Sequence, residues 1–109
     1  MSQEALRDLF ETTSLRRQLK AGEELYARGA ACEVCFLLER GELESSVPDR
    51  KLRRYRRSIK VGDIVGAVDM VLERPYSRQV IARTDSVVLL LSRQTLMTQL
   101  HSAGPLMLG

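Results

Sequence analysis

Val61-Gly62-Asp63-Ile64-Val65-Gly66-Ala67-Val68-Asp69-Met70-Val71-Leu72, followed by Arg74-Pro75-Tyr76-Ser77-Arg78-Gln79-Val80-Ile81-Ala82, decides how the whole chain is read. Val61-Gly62-Asp63 is a turn, and Ile64-Val65-Gly66 is a short apolar strand that ends on the second of two glycines. Residues 67–72 read as a short apolar turn of helix. Pro75 stops any continuation, because proline lacks an amide and biases the residue before it away from helix. Ser77 to Arg83 then alternates as a strand does, successive side chains pointing to opposite faces. Strand, glycine turn, short helix and strand in this order outline a loop held inside a rolled β-sheet.

Working outward, the flanking segments are also short strands punctuated by glycine. Leu15 to Leu19 leads into the turn Lys20-Ala21-Gly22-Glu23. Glu24 to Arg28 is a strand ended by Gly29, and Glu33 to Glu39 a strand ended by Arg40-Gly41. Glu42 to Val47 pairs back across that turn. Pro48-Asp49-Arg50 turns again, and Lys51 to Ile59 forms the next strand. Ser77 to Arg83 and Ser86 to Leu91 close the set around Thr84-Asp85. About eight short strands with turn residues between them predict a sandwich or jelly roll. Helices flank this set. Ser2 caps a helix to about Glu11, with Ala5, Leu6, Leu9 and Phe10 on one face at spacings of three and four. Ser92 caps a second, Arg93 to His101, with Leu96, Met97 and Leu100 on one face, and Gly104-Pro105 stops it.

A length of 109 residues predicts one domain over 1–109. Hydrophobic residues make up 44% but aromatics only 5%, with no Trp, so the core is expected to be built from Leu, Val, Ile and Met. No apolar run approaches the ~20 residues of a membrane-spanning helix. The longest, Val87 to Leu91, reads as a buried strand. The N-terminus is charged and amphipathic, unlike a signal peptide. The apolar end Leu106-Met107-Leu108 reads as part of a longer protein or of a dimer contact, in the cytoplasm or on the cytosolic face of a membrane protein.

The net charge of +3 is mild, yet Arg50, Lys51, Arg53, Arg54, Arg56 and Arg57 place six cations in eight residues. On a strand these alternate between faces, neither of them cleanly apolar, which predicts a strand or hairpin projecting from the roll. Such a patch suits anionic lipid, nucleic acid or an acidic protein surface; equally it protects a solvated sheet edge. Cys32 and Cys35 lie too few and too strand-like for zinc or thioredoxin chemistry, so they read as small buried thiols. His101 is the sole histidine and no nucleophile–base arrangement is visible, so neither catalysis nor a metal site is expected.

Lys20-Ala21-Gly22-Glu23, Leu25-Tyr26, Gly29, Phe36-Leu37-Leu38, Gly41-Glu42-Leu43 and Val61 to Gly66 together resemble the cyclic nucleotide-binding domain family. Ser77 and the run Val80 to Arg93 resemble its last two strands and first C-terminal helix. The resemblance implies a mainly β fold, a double-stranded jelly-roll-like β-roll with N- and C-terminal helices, and a phosphate-binding cassette over Val65, Gly66, Ala67, Val68, Asp69, Tyr76, Ser77 and Arg78. In that family a glutamate after the glycine holds the ribose hydroxyl and an arginine after the proline pairs with the cyclic phosphate, aided by backbone amides. Here the glutamate position is Ala67, the arginine position is Tyr76, and Arg78 falls where a small residue belongs. The resemblance therefore implies a regulatory or interaction domain with a degenerate cassette. Three readings stay open: a module working through other domains or a protein partner; a sensor of cAMP, cGMP or another small anion, in which a register slip brings Arg78, less readily Arg74, to the phosphate and Asp69 replaces the lost acid; and a basic-strand module. DNA contact is not expected from this segment, and membrane contact only through an attached domain.

Overall fold

Along the strand Val34–Arg40, Phe36 and Leu38 point to one side and Cys35 and Leu37 to the other, and all four are buried. A strand apolar on both faces must be covered on both, and the architecture follows from this. The computed structural model describes residues 3–13, 15–48 and 54–99. Helix α1 (Gln3–Thr13) precedes β1 (Arg16–Leu19), β2 (Glu24–Tyr26), β3 (Val34–Arg40), β4 (Leu43–Pro48), β5 (Arg54–Ile59) and β6 (Ile64–Val65). Helix α2 (Ala67–Val71), β7 (Gln79–Ala82) and β8 (Ser86–Ser92) follow. Residues 93–99 form a last helix, α3. Two four-stranded antiparallel sheets result, one ordered β1-β8-β3-β6 and the other β2-β7-β4-β5.

The sheets face each other across an inner core that includes Leu19, Phe36, Leu38, Leu43, Ile59, Val80 and Val88. The outer face of the first sheet carries a second core. There Cys35, Leu37, Leu89 and Leu91 meet Phe10 of α1, Met70 of α2 and Leu96 of α3. The run Val87 to Leu91 is accordingly divided: Val88 faces the inner core, Leu89 and Leu91 the outer. Among the described residues the second sheet has no such cover. Its outer face carries Glu44, which reaches both Arg56 (3.3 Å) and Arg83 (3.6 Å).

The expected β-roll with flanking helices is the fold observed. Ser92 caps α3, its hydroxyl oxygen accepting the Thr95 amide at 3.1 Å. On α1 Phe10 is buried and Leu6 and Leu9 are half-buried beside it, whereas Ala5 is exposed. Two strands are shorter than alternation suggested. β2 ends at Tyr26 because a bulge disturbs its pairing with β7, and β7 begins at Gln79, since residues 74–78 bond to a loop rather than to a strand. The core is less aliphatic than composition implied, because Phe36, Tyr26 and Tyr76 stack in one column. The turn after β3 needs a residue without a side chain: Gly41 has φ 90°, and a Cβ there would lie 2.5 Å from the Asp85 carbonyl oxygen.

Candidate functional site

Helix α2 begins from Gly66, whose φ of 85° an L side chain rarely adopts. A Cβ on Gly66 would meet Cε1 of Tyr76 at 3.1 Å, so its absence lets the Tyr76 ring lie against the backbone. α2 closes after Leu72 with paired bonds from the Glu73 amide to Met70 and the Arg74 amide to Asp69. Glu73 takes the left-handed conformation (φ 55°) that such a cap requires. This reversal turns Arg74 back over α2, where its Nε donates to Asp69 Oδ1 at 2.6 Å.

Asp69 is the polar hub of the segment. Its Oδ2 accepts the Ser77 amide and the Ser77 hydroxyl, each at 3.0 Å. Burial by itself would push this carboxyl up. The Ser77 amide, the Arg74 guanidinium and the Ser77 hydroxyl outweigh it and hold the group below its ordinary range. Both oxygens thus serve to tie the 74–77 loop to α2. The reading of Asp69 as a replacement ligand acid meets a carboxylate already occupied, and Arg74, the less ready phosphate partner of the sequence reading, is paired with it.

Tyr76 lies on the other side of that loop. Its amide donates to the Ala30 carbonyl at 3.0 Å, and its carbonyl accepts the Gly29 amide at 2.8 Å. The ring is buried and stacks on Tyr26 with centroids 3.7 Å apart. Its hydroxyl donates to the Val34 carbonyl on the facing sheet at 2.5 Å. Burial pushes both phenols well above their ordinary range, so they stay neutral. Tyr76 therefore bridges the two sheets as part of the wall. Burial also raises the thiols, Cys35 to about 12, which keeps them protonated as buried packing groups.

Beside this wall opens a cavity of about 850 Å³. Of the cassette residues, Val65, Gly66, Ala67, Val68, Asp69, Ser77 and Arg78 line it, and Tyr76 does not. Tyr76 and Arg78 differ in this way because residues 74–78 precede the strand β7 and are not held by its ladder. Leu6 of α1 and Leu96 of α3 complete the apolar rim. α2 also turns Val68, Val71 and Leu72 toward solvent.

Of the basic patch, the side chains of Arg56 and Arg57 are described. Arg50, Lys51 and Arg53 lie outside the described residues, as does the side chain of Arg54. Residues 54–59 form the edge strand of the second sheet. They pair with β4 from Pro48↔Arg54 to Leu43↔Ile59, and Ile59 is in the core. Alternation sends Arg56 to the outer face, against Glu44, and Arg57 to the inner face, where it lines the cavity. Sequence reading missed Arg57 as a cavity residue. The signal was its spacing of two from Ile59. Among the described residues no group of three or more His, Cys, Asp or Glu is placed to hold a metal, and no helix is long and apolar enough to cross a membrane.

Comparison with known proteins agrees with this geometry. No curated protein matches by sequence. The catabolite activator protein of Thermus thermophilus superposes with a TM-score of 0.80 at 15% identity, covering 94% of this chain and 48% of that one. A cyclic nucleotide-binding-like protein from Brucella abortus gives 0.72 at 22% identity, over 90% of this chain and 84% of that one. The cAMP-bound form of the EAL enzyme Bd1971 gives 0.73 at 14% identity, over 84% of this chain and 25% of that one. At such identities the likeness is one of fold, and the chain spans a quarter to a half of two of these proteins. The model of the cyclic nucleotide-binding domain matches residues 16–102, and the chain belongs to that family.

Proposed function

We propose that this chain is a non-enzymatic regulatory or interaction domain in which the cyclic nucleotide-binding fold does not hold cAMP or cGMP in the usual way. The observation that carries the reading is Tyr76. It stands where the family's cyclic-phosphate arginine is expected, and it is buried in a stack, with its hydroxyl committed to the Val34 carbonyl. A phosphate placed beside it would meet a neutral phenol with no free proton to offer, and a buried anion without a charge-assisted partner is costly. Ala67, at the position of the ribose acid, offers only a methyl group. Asp69 has both oxygens engaged by Arg74 and Ser77.

Two features support a role in coupling to other domains or a protein partner. The α2 side chains Val68, Val71 and Leu72 are exposed and apolar. The helices on either side, α1 and α3, rest on the same outer core as α2. The basic-strand reading has less support, since Arg56 and Arg57 face opposite ways.

Thermal unfolding with and without millimolar cAMP or cGMP tests the proposal. A ligand present at a hundred times its Kd stabilises by about 2.7 kcal/mol, several degrees for a domain of this size. No shift is expected with either nucleotide. A shift of that size, lost in Arg78→Ala, would replace the proposal with a working cyclic-nucleotide sensor.

A further inference from the structure

The inner face of the second sheet changes character along its strands. In register, Leu43 lies between Ile59 and Ala82, and all three are buried. Two residues on, Ser45 lies between Arg57 and Val80. Arg78 stands just before the start of β7, so the apolar floor gives way at the cavity to one hydroxyl with Arg57 beside it on β5 and Arg78 in the loop that enters β7. Ser45 is 5% exposed, lines the cavity, and has no side-chain hydrogen bond among the described residues. Arg57 and Arg78 also line it, and neither pairs with a carboxylate among the described residues. The exception matters because the neighbouring cations are engaged: Arg56 and Arg83 with Glu44, Lys60 with Glu42, Arg74 with Asp69. Of the cavity's two acids, Asp69 is the partner of Arg74, and Asp63 is exposed and accepts the Lys60 amide in its turn.

We propose that this wall is an anion site for an organic phosphomonoester, held by Arg57, Arg78 and the Ser45 hydroxyl, which line the same cavity. The inference deepens the proposed function and rests on it, since the usual phosphate position is taken by Tyr76. Adjacent strands stand ~4.8 Å apart, which sets Arg57 and β7 about two spacings, ~10 Å, from one another. Two arginine side chains converge on one anion from that separation. Two guanidiniums match the dianion of a phosphomonoester, whose second pKa is near ~6. The phosphodiester of a cyclic nucleotide carries a single charge and leaves one of them unmatched. Ile59, Val68, Val71 and Leu96 give the rest of the cavity an apolar lining, and Tyr26 adds an aromatic edge. Its volume of about 850 Å³ takes a body of nucleoside size.

Isothermal titration of the chain with adenosine 5′-monophosphate, inorganic phosphate, adenosine and cAMP tests this. The monophosphate is expected to bind more tightly than cAMP and inorganic phosphate, with adenosine inert at 10 mM. Arg57→Gln and Arg78→Gln, both at exposed positions, should each weaken the monophosphate about tenfold or more. Ser45→Ala should weaken it less. Failure of the monophosphate at 10 mM, or equal affinity in the double Arg57→Gln, Arg78→Gln variant, overturns the site and leaves the proposed function standing. Binding of inorganic phosphate alone overturns the organic ligand. Tighter binding of cAMP than of the monophosphate, retained in the double variant, overturns both readings.

Discussion

The two sheets have the same number of strands, yet they are stabilised differently. The β1-β8-β3-β6 sheet is buried on both faces, by the inner core and by the helices. The β2-β7-β4-β5 sheet is buried on one face only, and even that face ends in Arg57 and Ser45. The first sheet is the frame, and the second has positions free for other chemistry. The long, largely apolar strands β3 and β8 make the centre of the frame, and β4 and β5, which mix polar and apolar residues, make the wall of the cavity.

The largest expected effect separates the two. Leu91→Ala empties a fully buried site between the first sheet and the helices and should cost about 2–5 kcal/mol. Denaturant unfolding measures it, and a loss below about 1 kcal/mol would remove the distinction between frame and wall. Next comes the polar hub beside the cavity. Asp69→Asn keeps the shape but removes the charge that accepts from Arg74 and Ser77, and should cost about 1.5–3 kcal/mol near neutral pH. The sign with pH follows from a carboxyl held below its ordinary value. Its stabilisation is complete above the unfolded value of about 3.9 and disappears as pH falls through the lower folded value. The gap between wild type and Asp69→Asn should therefore narrow below about pH 4. A gap constant with pH would mean that Asp69 acts by shape alone. The smallest effect belongs to the solvated face of the second sheet. Arg56→Ala removes a surface ion pair and should change stability by no more than about 0.5 kcal/mol. A cost above about 1 kcal/mol, by the same unfolding measurement, would show that this outer face contributes to the frame.

Much of the frame was legible in the residues. Val87 to Leu91 reads as a buried strand because nothing in it tolerates water, and Ser92 reads as a cap because its hydroxyl reaches the amide three residues on. Alternation also held in β5, although it was applied to the patch, and so Arg57 was not read as a cavity residue. The loop 74–78 was the least legible part. Period two holds only where a ladder holds the backbone, and here the ladder is replaced by bonds from Tyr76 to residues 29 and 30. No local pattern announces a partner more than forty residues away.

The sequence by itself determined the strand and helix order, the glycines that permit the turns, and the presence of Ala67 and Tyr76 at the positions where the family resemblance implies an acid and an arginine. Those are local facts, set by backbone dihedral preference and by which side chain stands at which place. Tertiary structure alone decided that Tyr76 joins a stack with Tyr26 and bonds to Val34, that Asp69 is taken by Arg74 and Ser77, and that Arg57 meets Ser45 and Arg78 at one cavity. The physical reason is that stacking, ion pairing and convergence on a cavity depend on distances between strands far apart in sequence, and only the closed roll sets those distances.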